Sequence, residues 1–412
     1  MKRFIKSSIS IILILAIVFS FSITTFAEDN AYDSSVQMLQ DIGVLPADNF
    51  SADNIVTRAE FIKMVTTLLY EDVNNLGFGD VPFIDVTEES QYYPYISAAY
   101  GSKLIAGTGG ALFNPNDPIK YIDAVKILTD ALGYGIAAVA EGGYINGYAE
   151  IASKIRLSKK ALALAQTDLT GDLAAELLYD ALDVKVANAI LSTDGEHKIE
   201  VSDETFMDSI GIYHVEGILS ENEYTGLYDT EGAGGRSIKI GDVTASIYNT
   251  LDDEKYFGYD VNCYYRRVDS KNVVVSLMPS SKNEVTVINA HEFDDYDGDV
   301  IKYTLDGSKR QEDIKIAKNL YVIYNGRIKD DYAKETFEIN EGTIPVIDNS
   351  GDGKADVINV RSYDNYIVAG LDAENEVIYD SYGKVLDLSI NDTEKSVVIA
   401  NSEGKEIGFS DI

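Results

Sequence analysis

Tryptophan is missing from the 412 residues, and cysteine occurs once, as Cys263. A lone thiol excludes an intramolecular disulfide, so the fold has to be held by its packed cores. Histidine is scarce as well: His197, His214 and His291 are scattered without ligand-like spacing, which argues against a zinc centre. Cations are short too. With 34 Lys and Arg against 68 Asp and Glu, the formal charge is −34, which repels nucleic acid and anionic lipid surfaces and favours solubility and divalent cations. Enzyme signatures are absent: there is no Gly-x-Ser-x-Gly, no His-Glu-x-x-His and no phosphate loop ending in Gly-Lys-Ser/Thr. Paired carboxylates for glycoside cleavage stay open, because their pairing is spatial. Missing tryptophan counts against a sugar cleft, although tyrosines also stack. Long apolar runs are confined to the start, where Lys2, Arg3 and Lys6 precede an apolar stretch at 9–21 and then Thr25-Phe26-Ala27. That pattern predicts a secretory signal peptide over 1–27, cleaved after Ala27, since the apolar core is short for a spanning anchor. The mature chain is then exported, with no membrane partner after cleavage.

What is present begins with Val56-Thr57-Arg58-Ala59-Glu60, ahead of the run Phe61-Ile62-Lys63-Met64-Val65-Thr66-Thr67-Leu68-Leu69. Thr57 followed by Glu60 three residues later predicts a capping box, and Phe61, Ile62, Val65, Leu68 and Leu69 share one helical face. Arg58 stands in the first turn, where a cation opposes the helix dipole unless an anion lies nearby. Similar units recur along 31–183. Val36, Leu39 and Ile42 predict a short helix ending at Gly43. Phe83-Ile84-Asp85-Val86 reads as a short extended segment, and 91–100 as a helix. Residues 104–113 read as two very short strands about a glycine turn, and Asp117-Pro118 as the N-cap and first residue of a helix buried through Ile119, Ile122, Val125, Leu128 and Leu132. A third unit runs from Gly142-Gly143-Tyr144 through a helix to Ile155, then from Asp168-Leu169-Thr170 into a last helix. Val56, Ile119 and Leu169 align as equivalent positions, the mark of degenerate helical repeats that bury their faces against one another.

These short motifs, in this order and spacing, resemble the S-layer homology modules of bacterial cell-surface proteins. The resemblance covers about 31–183, with modules near 31–75, 83–134 and 142–183. It implies an all-α pseudo-threefold bundle whose grooves hold a secondary cell-wall polysaccharide, often pyruvylated, with the arginine of Thr-Arg-Ala-Glu meeting the anionic sugar. Carried onto this chain, the polysaccharide-binding set is Arg58, Thr57, Glu60, Asp85, Tyr93 and Tyr121. The departures matter, because Tyr121 and Gly171 replace the arginine in the second and third modules. One intact site means weaker docking, or docking shared among copies through avidity.

After a presumed linker at 184–210 the period switches to alternation. Strand-like runs include 212–219, 264–268, 273–277, 285–288, 300–305, 320–324, 366–370 and 397–400, punctuated by turns such as Asp306-Gly307 and Asn325-Gly326. They predict antiparallel all-β domains, one at 211–290 and a second or its continuation at 291–412, sandwich or barrel, so that the chain as a whole is α+β and multidomain. The chain stops after a hairpin-like segment, 404–412, which suggests a truncated member of a longer family. Asp348-Asn349-Ser350-Gly351-Asp352-Gly353-Lys354-Ala355-Asp356 has the spacing of a calcium loop, with Asp348, Ser350, Asp352 and Asp356 as side-chain donors and the Lys354 carbonyl. Asn359 replaces the bidentate glutamate, so an Asx/Gly hairpin turn is the competing reading. Asp294-Asp295-Tyr296-Asp297-Gly298-Asp299 is a poorer candidate. The leading expectation is a non-catalytic surface protein anchored to the wall polysaccharide of a Gram-positive bacterium. The alternatives are an anchored wall- or polysaccharide-acting hydrolase with its site in the β half, or a lattice former that self-assembles or contacts other surface proteins.

Overall fold

The computed structural model describes residues 29–387, apart from 71, 77–78, 192–196, 229, 249–252, 364–367, 373 and 376. The leader at 1–27 and the strand and hairpin expected at 397–412 lie outside the described residues. The chain divides into two compact units, residues 1–212 and 213–412. Among the described residues, no helix is long and apolar enough to cross a membrane.

Among the described residues, the first unit runs through the helices α1 (Asp29–Asp41), α2 (Arg58–Leu69), α3 (Tyr93–Gly101), α4 (Tyr121–Ala131), α5 (Gly135–Ala140), α6 (Asn146–Lys154) and α7 (Gly171–Leu182) before a short C-terminal segment described below. Thr57 caps α2 as the spacing predicts: its hydroxyl accepts the Glu60 N–H at 3.3 Å, and the Glu60 carboxylate accepts the Thr57 N–H at 2.8 Å. Phe61, Ile62, Val65 and Leu68 are buried, and Leu69 is half-buried. Burial of each such side chain stabilises by about 1.5–3 kcal/mol, which fixes the face that α2 turns inward. The helices pair in order: α2 packs against α3, α4 against α6, and α7 against α1.

The residues before α2, α4 and α7 close a ring of backbone hydrogen bonds. Val56 N–H donates to Leu169, Leu169 to Ile119 and Ile119 back to Val56, at 2.8, 2.9 and 3.1 Å. Two further circuits sit beside it. Arg58, Tyr121 and Gly171 donate to Asp117, Thr167 and Asn54, each at 2.9 Å, and Ala59, Ile122 and Asp172 donate to Pro115, Ala165 and Ala52. Each of these N–H groups thus finds its acceptor in another segment of the ring, the first set running in the sense opposite to the other two.

Several local expectations change. Asp117-Pro118 does not start α4; Pro118 bridges Thr57 in the ring, and the helix begins at Tyr121 after Lys120. The segment expected to be extended at Phe83-Ile84-Asp85-Val86 turns at Ile84-Asp85, and the strands expected in 104–113 reduce to one bridge, Gly109 to Leu112. The stretch at 184–210 is no linker. It forms an antiparallel hairpin, β1 (Lys185–Leu191) with β2 (His197–Thr205), followed by the short helix α8 (Phe206–Ser209). Ala187 N–H donates to the Leu132 carbonyl at 2.9 Å, and the close approach leaves no room for a side chain at Gly133, where φ is +88°. The exposed residues of the hairpin mix apolar Ile190 and Val201 with polar Asn188, Lys198, Glu200 and Asp203, so its sequence shows no clean two-residue alternation.

In the second unit, β3 (Ile212–Glu221), β4 (Ser237–Ile240), β5 (Val243–Ser246), β6 (Asp260–Val268) and β7 (Lys271–Pro279) close a barrel in the order β3-β4-β5-β7-β6. Its core includes Ile238, Ile240, Phe257, Val261, Val274, Leu277 and Cys263. Burial pushes the Cys263 thiol up to about 12, so this thiol is inert packing. A seven-stranded sheet follows: β8 (Glu284–Asn289), β9 (Phe293–Tyr296), β10 (Val300–Tyr303), β11 (Glu312–Tyr324), β12 (Arg327–Ile328), β13 (Gly342–Asp348) and β14 (Lys354–Ser362). Because β8 pairs with β13, it belongs to this sheet, and the barrel ends before 284 rather than at 290. The sheet is also not purely antiparallel. β11 and β14 run parallel, since β12, the short helix α9 (Lys334–Phe337) and β13 carry the chain back between them. A three-stranded sheet, β15 (Val368–Asp372), β16 (Val377–Asp380) and β17 (Val385–Asp387), comes last.

Candidate functional site

Arg58 emerges at the start of α2, where the helix dipole disfavours it. Its side chain escapes this by lying across to the turn before the ring. Nε donates to the Phe113 carbonyl at 3.0 Å, and the guanidinium rests 4.8 Å from the centre of the Phe113 ring. Phe113 is fully buried against Phe83 at 5.5 Å, which makes that face rigid. Asp85 holds the turn in place: its two carboxylate oxygens accept the N–H groups of Phe113 and Asn114 at 2.9 and 2.7 Å. Asp85 is therefore a positioning residue whose carboxylate is already committed.

The anion that the dipole argument calls for is internal. Asp123, in the first turn of α4, lies 3.9 Å from Arg58 Nη1, and it accepts the Tyr144 hydroxyl at 2.9 Å. An N···O separation of 3.9 Å is an ion pair without a hydrogen bond, so the guanidinium's terminal NH2 groups keep donor capacity. Only 15% of the Arg58 side chain is exposed. Burial lowers the Arg58 pKa, while Asp123, Asp117 and Tyr144 act the other way. Burial, followed by the bond to Asp123, pushes the Tyr144 hydroxyl up to about 12. The site is thus a desolvated, loosely paired guanidinium beside a half-exposed tyrosine.

The other expected residues fall as follows. Thr57 and Glu60 satisfy one another in the cap. Tyr93 is half-buried at the start of α3, and the group standing beside Glu60 is its neighbour Tyr92. Tyr121 occupies the Arg58 position in the ring but is 1% exposed, and its hydroxyl bonds Ser158 Oγ at 2.9 Å, so it offers no surface to a ligand. Gly171, the third equivalent, is forced: a Cβ there would collide with the Ser51 carbonyl oxygen. Asp123 and Tyr144 were missed in the sequence. Asp123 stands two residues after Tyr121 as Glu60 stands two after Arg58, and that correspondence was the available signal.

The loop at 348–356 joins β13 to β14, and its polar groups are engaged with one another. Asp348 accepts the N–H groups of Ser350, Gly351 and Gly353, Asp356 accepts those of Asn349 and Ser350, and the Lys354 ammonium sits 2.7 Å from Asp352. A cation here would have to take the place of that ammonium. Elsewhere His291, Glu292 and Asp306 converge, yet Glu292 already accepts the N–H groups of Asn289 and Asp306, and His291 bonds Asp306 at 3.0 Å.

A match to the S-layer homology domain family covers residues 82–125, the stretch that holds Asp85, Phe113, Asp117, Tyr121 and Asp123. Over 94% of its length the chain is 26% identical to a cell surface protein of Thermoanaerobacter kivui, and it covers 51% of that protein. It is 22% identical to the middle cell wall protein of Brevibacillus brevis, over 72% of this chain and 31% of the relative. A shorter match to the surface-layer 125 kDa protein of Lysinibacillus sphaericus is 34% identical over 24% of this chain and 8% of the relative. The chain therefore spans about half the length of these relatives or less. Their names are those of surface and wall proteins and not of enzymes. The chain is an S-layer homology domain-containing protein of the cell surface.

Proposed function

We propose that the first unit is three S-layer homology modules in pseudo-threefold array, docking the protein non-covalently on an anionic, pyruvate-bearing secondary cell-wall polysaccharide. The observation that carries this is Arg58, buried against Phe113 and only loosely paired with Asp123. A sugar carboxylate entering beside Tyr144 gains charge-assisted hydrogen bonds from the Arg58 NH2 groups that water reaches poorly. The three sets of backbone bonds support the threefold reading, because within each set every bond makes the same step round the ring, one set running in the sense opposite to the other two. Binding is centred on one groove, since Tyr121 is buried and Gly171 has no side chain. The second unit is displayed outward without a catalytic role, a reading supported by relatives named for surface and wall. Assembly into a lattice is the second reading, favoured by a relative from Brevibacillus choshinensis named a surface layer protein.

The test is co-sedimentation of the protein with purified cell walls before and after the non-peptidoglycan polysaccharide is stripped. Loss of sedimentation on stripping is the expected result. Undiminished sedimentation would contradict polysaccharide docking.

A further inference from the structure

In a chain of formal charge −34, Lys154, Arg156, Lys159 and Lys160 fall within seven residues at the end of α6. The loop that bears them is pinned. Leu157 and Ser158 are buried, Ser158 N–H donates to the Ala152 carbonyl at 3.1 Å, and Ser158 Oγ accepts the Lys160 N–H at 3.1 Å. The same Oγ is bonded to Tyr121, the ring equivalent of Arg58, so this loop stands to Tyr121 as the Phe113 turn stands to Arg58. Acidic neighbours neutralise two of the four cations: Lys154 pairs with Glu141 and Glu150, and Lys160 with Glu176. Arg156 and Lys159 are exposed and form no ion pair among the described residues. Arg156 sits at φ 64°, a left-handed backbone position uncommon for a residue with a side chain, within the turn pinned by Ser158.

We propose that Arg156 and Lys159 form a second, electrostatic contact for the same anionic wall polysaccharide, in place of the arginine that Tyr121 displaced. This rests on the docking role assigned to Arg58. A pinned backbone lowers the ordering cost to that of the two side chains, and two exposed cations add reach along a polymer more than they add local affinity.

The experiment is equilibrium co-sedimentation of the full chain with purified cell walls over a salt series, using wild type, Arg58→Ala and the double variant Arg156→Gln/Lys159→Gln. Both double-variant positions are exposed, so its melting temperature should match the wild type. The double variant is expected to bind roughly three- to tenfold more weakly at low salt and to converge on the wild type at high salt. Equal affinity of double variant and wild type at every salt, with Arg58→Ala still defective, would overturn this inference alone. A wild type that does not sediment, or an Arg58→Ala variant that binds as the wild type does, would overturn the docking role and this inference with it. A change in self-association with wall binding intact would assign the loop to contacts between copies and overturn the proposal.

Discussion

Arg58 carries two conflicting demands, a helix start that repels it and the Phe113 turn and Asp123 that hold it. The Phe113 carbonyl and ring and the Asp123 carboxylate offset the dipole without any external anion. The conflict visible in the sequence was therefore real, but part of its resolution lies inside the protein. Asp180 shows the opposite balance. Burial first, then Glu176 and Asp183, raise its carboxyl from 3.8 to about 6, with Lys160 opposing. A carboxyl whose folded value lies above its unfolded one binds its proton more tightly in the folded state, so its contribution to stability is present at acid pH and lost as pH rises through about 6. Asp180→Asn should accordingly raise the melting temperature above pH about 6, by about 2–4 °C for each kcal/mol of relief, with the gain shrinking as pH falls and vanishing below pH about 3, under the unfolded value. A calorimetric pH series checks this.

The ring before α2, α4 and α7 depends on backbones that approach closely, and Gly171 is its tightest point. Gly171→Ala places a Cβ against the Ser51 carbonyl and should destabilise the first unit by about 1–3 kcal/mol, read as a lowered melting temperature in calorimetry. Much of this architecture was legible. The Thr57–Glu60 cap, the buried face of α4 and the equivalence of Val56, Ile119 and Leu169 all follow from local spacing, and the structure closes those three residues in one circuit. Other features were not legible because they are non-local. The hairpin at 184–210 is held by Ala187 on the Leu132 carbonyl, and Pro118 is taken from its expected helix by a bridge to Thr57. The parallel pairing of β11 with β14 likewise depends on a crossover that alternation alone does not reveal. In the site, Arg58 was readable from its motif, whereas Asp123 and Tyr144 reach it only through the fold.

Across the whole chain, acidic excess and a few placed cations divide the labour. A formal charge of −34 keeps most of the surface away from anionic polymers, so recognition of one must come from points where cations are fixed. Arg58 is such a point, desolvated and incompletely paired. The most direct measurement is therefore the affinity of Arg58→Ala for purified cell wall, with melting followed in parallel. Loss of the charge-assisted bonds should weaken binding roughly tenfold or more while the unit, still capped by Thr57 and Glu60, stays folded. Undiminished binding by a folded Arg58→Ala protein would contradict the account.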